Sequence, residues 1–209
     1  MSALFVKICG LRARECVDAA INAGANAIGF VFAESPRRVT INEVRPLLDH
    51  AQARVTRVGV FRHPSPDEVR RVLDELPIDL VQSDVEDFER DLAFVDASLR
   101  LPVVRTGDGF AARLRRAITE SGRVLVEGAR SGAGQRVSLD ELDALPDDTR
   151  SRVIVAGGLD PTNVREIIER TRPFGVDVSS GVERQPGEKD THLIHQFVRA
   201  ARDAERIST

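Results

Sequence analysis

Eight short runs rich in aliphatic and β-branched residues recur along this chain, and each precedes a stretch whose apolar residues fall at helical spacing. The runs are 4–8, 27–32, 55–61, 80–82, 101–105, 124–127, 152–156 and 175–178. The helical patterns occupy 13–23, 41–48, 66–76, 88–97, 110–119, 138–145, 161–170 and 191–206. Strands alternating with helices pack as a parallel sheet covered by its own crossovers. Eight such units in 209 residues predict a minimal (β/α)8 TIM barrel, an α/β fold forming a single domain over residues 1–209. An open doubly wound sheet is the alternative, but the Gly-x-Gly-x-x-Gly turn is missing after the first run. In the first helical stretch Cys16, Ala19, Ala20 and Ala23 form one stripe, and Gly24 ends it. Ser65-Pro66 and Asp160-Pro161 read as cap and first-turn pairs for two later helices.

Composition narrows the setting. With 42% apolar and 30% charged residues, the chain is an ordinary folded globule. A net charge of −3 gives no footprint for nucleic acid. No apolar run approaches the ~18 residues of a membrane helix, and the N-terminus lacks a basic-then-apolar leader. Two cysteines, Cys9 and Cys16, make no disulfide framework. A reduced, cytoplasmic protein is expected, with neither nucleic acid nor membrane as partner. Tryptophan and tyrosine are absent, so an aromatic substrate ring would lie against aliphatic or phenylalanine surface.

A barrel of this kind makes its first and last strands neighbours and gathers its chemistry at the C-terminal strand ends. Period-two alternation puts Lys7 and Cys9 on one face of the first strand, with Cys9 at its end. A neighbouring cation favours thiolate, so Cys9 is a candidate base or nucleophile; a buried structural cysteine is the alternative. Cys16, on the helix stripe, reads as structural. Glu127 ends the sixth strand and would face the cleft from the opposite side. Acid and base on opposing strands suit proton transfer on a sugar phosphate, although a loop-capping carboxylate is as good a reading of Glu127 alone. Gly157-Gly158 and Ser180-Gly181 follow strands seven and eight, where backbone amides can approach a phosphate closely. Arg37, after the second strand, can grip a carboxylate or phosphate bidentately, whereas Arg38 reads as solvated. His50 and His63 stand isolated, and His192 and His195 lie on the last helix without acidic or cysteine partners. No metal site is expected.

These residues resemble the phosphoribosylanthranilate isomerase family nearly end to end. The likeness lies in Val6-Lys7-Ile8-Cys9-Gly10, in residues 24–32, in Ser35-Pro36-Arg37 and in Arg57-Val58-Gly59-Val60-Phe61. It continues through Ala156-Gly157-Gly158-Leu159-Asp160-Pro161, residues 172–183, Pro186-Gly187 and Lys189-Asp190. The resemblance implies an isomerase of tryptophan biosynthesis that carries out an Amadori rearrangement. Phosphoribosylanthranilate would become the carboxyphenylamino-deoxyribulose phosphate, without a cofactor. It implies Cys9 as general base, Glu127 in the position of the acid, and Arg37 as the substrate-carboxylate ligand. Gly157, Gly158, Ser180 and Gly181 would bind phosphate, and Gln82 and Asp177 would complete the substrate-binding set. The partner is the small phosphoribosyl substrate, and the chain would act as a monomer or homodimer.

The middle of the chain departs from that pattern. The family's acid is aspartate where this chain has Glu127. The family's Gly-Gly-Thr-Gly-Lys loop reads Ser131-Gly132-Ala133-Gly134-Gln135, so the lysine is Gln135. Gln-Leu-His-Gly reads Gln82-Ser83-Asp84-Val85, and the lysine of strand five is Arg105. A divergent paralogue acting on, or merely binding, another sugar phosphate is the alternative.

Overall fold

In the computed structural model, which describes residues 3–51, 55–128 and 139–207, β1 (Phe5–Cys9) pairs in parallel with both β2 (Ala27–Val31) and β8 (Gly175–Val178). That double pairing closes the sheet. The circuit runs through β3 (Thr56–Val60), β4 (Leu80–Asp84), β5 (Arg100–Arg105), β6 (Val124–Glu127) and β7 (Val153–Val155). Outside it lie α1 (Arg14–Ala23), α2 (Ile41–Ala51), α3 (Pro66–Glu75), α4 (Val85–Arg90) and α5 (Phe110–Ser121). They are followed by α6 (Leu139–Asp143), α7 (Asp147–Arg150), α8 (Val164–Thr171) and α9 (Thr191–Ile207). This is the expected (β/α)8 barrel.

Strand alternation separates two apolar cores. Ile8, Ile28, Phe30, Val81, Val104, Val126, Val155 and Val178 point outward and pack under the helices. Ala27, Val58, Leu101, Val103, Leu125, Ile154 and Ala156 fill the barrel interior. The polar residues at the strand ends sit on this inner layer, so a rigid floor holds the site. No described helix is long and apolar enough to cross a membrane.

Local signals held where side chain and backbone agree. Ser65 caps α3, its hydroxyl accepting from the Glu68 amide at 3.2 Å, and Gly24 ends α1 in the left-handed region at φ 94°. Asp160 behaves differently. Its carboxylate accepts from the Thr162 and Asn163 amides, closing a turn ahead of α8, which therefore begins at Val164 rather than at Pro161. The helix expected over 88–97 is also displaced. β4 continues to Asp84 because Ser83 and Asp84 pair with Pro102 and Val103, α4 starts at Val85, and Asp96 caps a separate 3-10 turn, Ala97–Leu99. Ser138, where a helix was expected to begin, lies outside the described residues.

Candidate active site

Cys9 ends β1 on the inner face and is 5% exposed. Lys7, two residues earlier and fully buried, donates from Nζ to Asp177 Oδ1 at 2.8 Å. Gly29 faces Cys9 in the β1–β2 register, and a Cβ there would stand 3.0 Å from Sγ and 3.2 Å from Lys7 Cε. Both side chains therefore fit only because that residue has no side chain. Burial would lower the Lys7 pKa, but Asp177 and the Cys9 sulfur outweigh it and hold it raised. For Cys9 the balance goes the other way from the sequence expectation. Burial pushes the thiol above its ordinary 9.0, and the pull of Lys7 is opposed by the charge of Asp177. A cation already paired to a carboxylate is a weak activator.

Breaking such a buried pair leaves an uncompensated charge. Lys7→Met is expected to destabilise the fold by about 3–5 kcal/mol in urea denaturation, and adding Asp177→Asn should recover part of that loss.

Arg37 is held from the side. Its Nε and Nη2 donate to the two oxygens of Glu183 at 2.7 and 2.8 Å, a fork-on-fork pairing that leaves Nη1 out of the contact. Glu183 also accepts from Lys189 Nζ at 2.7 Å. Lys189, buried, donates further to the Ser179 carbonyl at 2.9 Å and hydroxyl at 3.2 Å, and that hydroxyl donates to the Cys9 carbonyl at 3.2 Å. In the sequence Glu183 and Lys189 are motif residues with no stated partner; their pairing needs the short hairpin β9 (Glu183–Gln185) and β10 (Glu188–Lys189), where they are register partners. Burial would raise the Glu183 carboxyl, but Arg37 and Lys189 hold it below its ordinary 4.5. The stability from this pairing is thus present in full above the ordinary carboxylate range and is lost as pH falls through the lowered value.

The loops after β7 and β8 meet. Gly157 and Gly158 have φ of 92° and 68°, left-handed conformations that turn successive amides the same way. Gly181 lies in a 3-10 turn, Ser180–Val182, and a Cβ on it would be 1.9 Å from the Leu159 carbonyl. Among the described residues no hydrogen bond uses the amides of Gly157, Gly158, Ser180 or Gly181. These four amides, two on each loop, stand at the rim as an amide cradle.

Beside β7 in the barrel, β6 ends in Glu127, its side chain 20% exposed, and Arg105 Nη2 stands 3.9 Å from its Oε2. Arg105 Nη1 reaches Asp84 Oδ1 at 2.6 Å. Gln82, one step below Asp84 on the same face, is buried, and its Oε1 has no hydrogen-bond partner among the described residues. Gln135 and its loop lie outside the described residues. Neither His50 nor His63 is isolated, contrary to the sequence reading: His50 Nε2 meets Asp18 Oδ1 at 2.5 Å, and His63 is gripped by two carboxylates. Its amide and Nδ1 each meet Asp87 at 3.0 Å, and its Nε2 is 3.6 Å from Asp84. That grip keeps His63 at φ 48°, where non-glycine residues need such over-determination. The pairing escapes sequence reading because 20 residues and more separate the partners. His192 and His195 are exposed, as expected.

Among the described residues, His63, Asp84 and Asp87 are spaced as metal ligands could be. Their oxygens are already engaged: Asp84 by Arg105, Asp87 by the Ser83 hydroxyl at 2.7 Å and by His63. Hydrogen bonding from Ser83 and His63 outweighs burial and holds Asp87 below its ordinary value. The cluster is balanced by protein cations.

A closed eight-stranded parallel barrel with polar residues and glycine turns gathered at its C-terminal strand ends defines the class, a TIM-barrel protein with its candidate site at the mouth. The family described as N-(5'-phosphoribosyl)anthranilate (PRA) isomerase matches residues 6–200, and the chain belongs to it. An N-(5'-phosphoribosyl)anthranilate isomerase of Pseudomonas fluorescens (strain Pf0-1) is 39% identical, covering 97% of this chain and 100% of its own. The solved phosphoribosyl anthranilate isomerase of Thermotoga maritima superposes with a TM-score of 0.81 at 30% identity, covering 96% of this chain and 100% of its own. A phosphoribosyl anthranilate isomerase in complex with reduced 1-(o-carboxyphenylamino)-1-deoxyribulose 5-phosphate gives 0.75 at 29%, covering 96% and 100%.

Proposed function

We propose that this chain catalyses the Amadori rearrangement of N-(5-phosphoribosyl)anthranilate to 1-(2-carboxyphenylamino)-1-deoxyribulose 5-phosphate in tryptophan biosynthesis, with Cys9 as general base and Glu127 as general acid. The observation that carries it is adjacency. β1 lies between β8, whose loop holds half of the amide cradle, and β2, whose loop carries Arg37. Phosphate on Gly157, Gly158, Ser180 and Gly181, with the anthranilate carboxylate on Arg37, stretches the sugar across the mouth between Cys9 and Glu127.

The chemistry follows from that placement. Glu127 gives its proton to the furanose oxygen as the C1′–O bond breaks, and the anilinic nitrogen's lone pair forms a C1′ iminium. Cys9 removes the C2′ proton, and those electrons form the C1′–C2′ double bond of an enolamine. Proton return to C1′ and loss of the C2′ hydroxyl proton give the ketone. A thiol raised by burial is a strong base once ionised, and the iminium makes the C2′ proton acidic enough to need it. Lys7 and Lys189 offset only part of what burial costs the thiolate, so the thiol stays above its ordinary value. Gln82 and Asp177 face the interior beneath the sugar.

The cradle supplies uniform binding, so its loss should fall on KM. Gly181→Ala forces a methyl into the Leu159 carbonyl and is expected to raise KM at least ~10-fold, about 1.4 kcal/mol, with kcat nearly kept. A crystal structure with the reduced product analogue tests the placement. Phosphate on the β7 and β8 loops with the carboxylate on Arg37 is expected; phosphate anchored at Arg12 or Arg62 contradicts it.

A further inference from the structure

The departures on strands four to six meet at one place. Arg105 and Glu127 are register partners at the ends of β5 and β6, and the guanidinium spans from Asp84 Oδ1 at 2.6 Å to Glu127 Oε2 at 3.9 Å. An arginine at that distance from a general acid works against it, because an opposite charge within ~4–6 Å lowers a carboxyl pKa by roughly 1–3 units. A general acid stripped of its proton delivers nothing. Asp84, buried and closer to Arg105 than Glu127 is, offsets that charge. We propose that Asp84 is a positioning residue: it neutralises Arg105, so that the guanidinium holds Glu127 in the mouth without taking its proton. The three departures then form one compensated unit, in which a longer acid is steered by a longer cation and the cation is balanced from strand four.

Among the described residues, further charged groups line the mouth around Glu127. From β1 and β8 come Lys7, Cys9 and Asp177, with Lys7 and Asp177 paired to each other. Behind Asp84 stand His63, then Asp87 with Arg90 at 3.6 Å, and Glu141 of α6 accepts from the Gly107 amide at 3.1 Å. Substitution of Asp84 alters none of these partnerships directly except that of His63.

The proposal rests on Glu127 being the acid, and its test separates the two. The readout is the carboxyl carbon-13 titration of Glu127 in the full chain, assigned by its loss in Glu127→Gln. Asp84→Asn should lower the midpoint by about one pH unit, and kcat/KM at neutral pH should fall about tenfold as the protonated fraction falls. Arg105→Gln should raise the midpoint, since Asp84 then faces Glu127 as a like charge. The double variant should return to within about 0.3 units of wild type, the compensation expected of two opposite charges acting on one site. A purely structural role would reduce activity and leave the midpoints in place. Should Asp84→Asn fail to fold, Arg105→Gln decides alone. An unmoved midpoint in either single variant, or a double variant that keeps the Asp84→Asn shift, overturns the proposal. Turnover persisting in Glu127→Gln instead overturns the acid assignment, while the titrations still decide whether Asp84 and Arg105 set the carboxyl's affinity for its proton.

Discussion

Glu127→Gln is expected to abolish isomerisation at saturating substrate while leaving the fold and substrate affinity nearly intact. The amide keeps the shape of the side chain and can still meet Arg105, but it has no proton to give to the furanose oxygen. Loss of a positioned general acid removes about 10²–10⁴ in rate, and ring opening has no other donor placed on β6. Glu127→Asp should retain activity or improve it, because the carboxyl then withdraws by roughly 1 Å toward the position the family's aspartate occupies, and misplacement of that size is worth about 100-fold. The two substitutions together separate proton delivery from geometry. Normal turnover by Glu127→Gln, measured under saturation, would transfer the role to another carboxyl, with Asp84 or Asp177 the candidates.

The second large effect belongs to Cys9. Cys9→Ser should lower kcat by roughly a thousandfold, within the range for loss of a general base, and should leave ligand affinity close to that of the parent. Serine fills the same space beside Gly29 and Lys7, yet its hydroxyl does not ionise in this pH range. Burial also predicts how the native thiol behaves. Because the folded Cys9 pKa is raised above 9.0, its alkylation rate in a Cys16→Ala background should climb through an alkaline midpoint rather than level off near neutrality. Single-turnover kinetics check the first expectation and a pH series of iodoacetamide modification the second; near-parental turnover in Cys9→Ser removes the base assignment.

The barrel was legible because its signals are local. Every strand except β3 carries its own outward valines or isoleucines, and each helix its own stripe, so period alone orders eight units. That Cys9, Glu127 and the glycine loops stand at strand ends was legible for the same reason, since strand ends fix which residues can reach the mouth. What the sequence concealed depends on charges brought together across the fold. Lys7 beside Cys9 reads as an activating cation until Asp177, 170 residues away, is found to hold it. His63 reads as solitary until β4 delivers Asp84 and α4 delivers Asp87. Arg37 reads as waiting for substrate, whereas Glu183 already fixes two of its nitrogens and presents the third. The displaced start of α8 has a smaller cause, the carboxylate of Asp160 turning back on the amides that follow it.

The measurement that bears most directly on the central claim is turnover of phosphoribosylanthranilate by the purified chain, followed through the substrate's own fluorescence with the product identified chromatographically. The expected result is decay at a rate proportional to enzyme concentration, yielding carboxyphenylamino-deoxyribulose phosphate, and absent from both Cys9→Ser and Glu127→Gln. Decay no faster than spontaneous hydrolysis to anthranilate, from protein that is folded and binds the product analogue, would contradict the account and leave a sugar-phosphate binder in place of an isomerase.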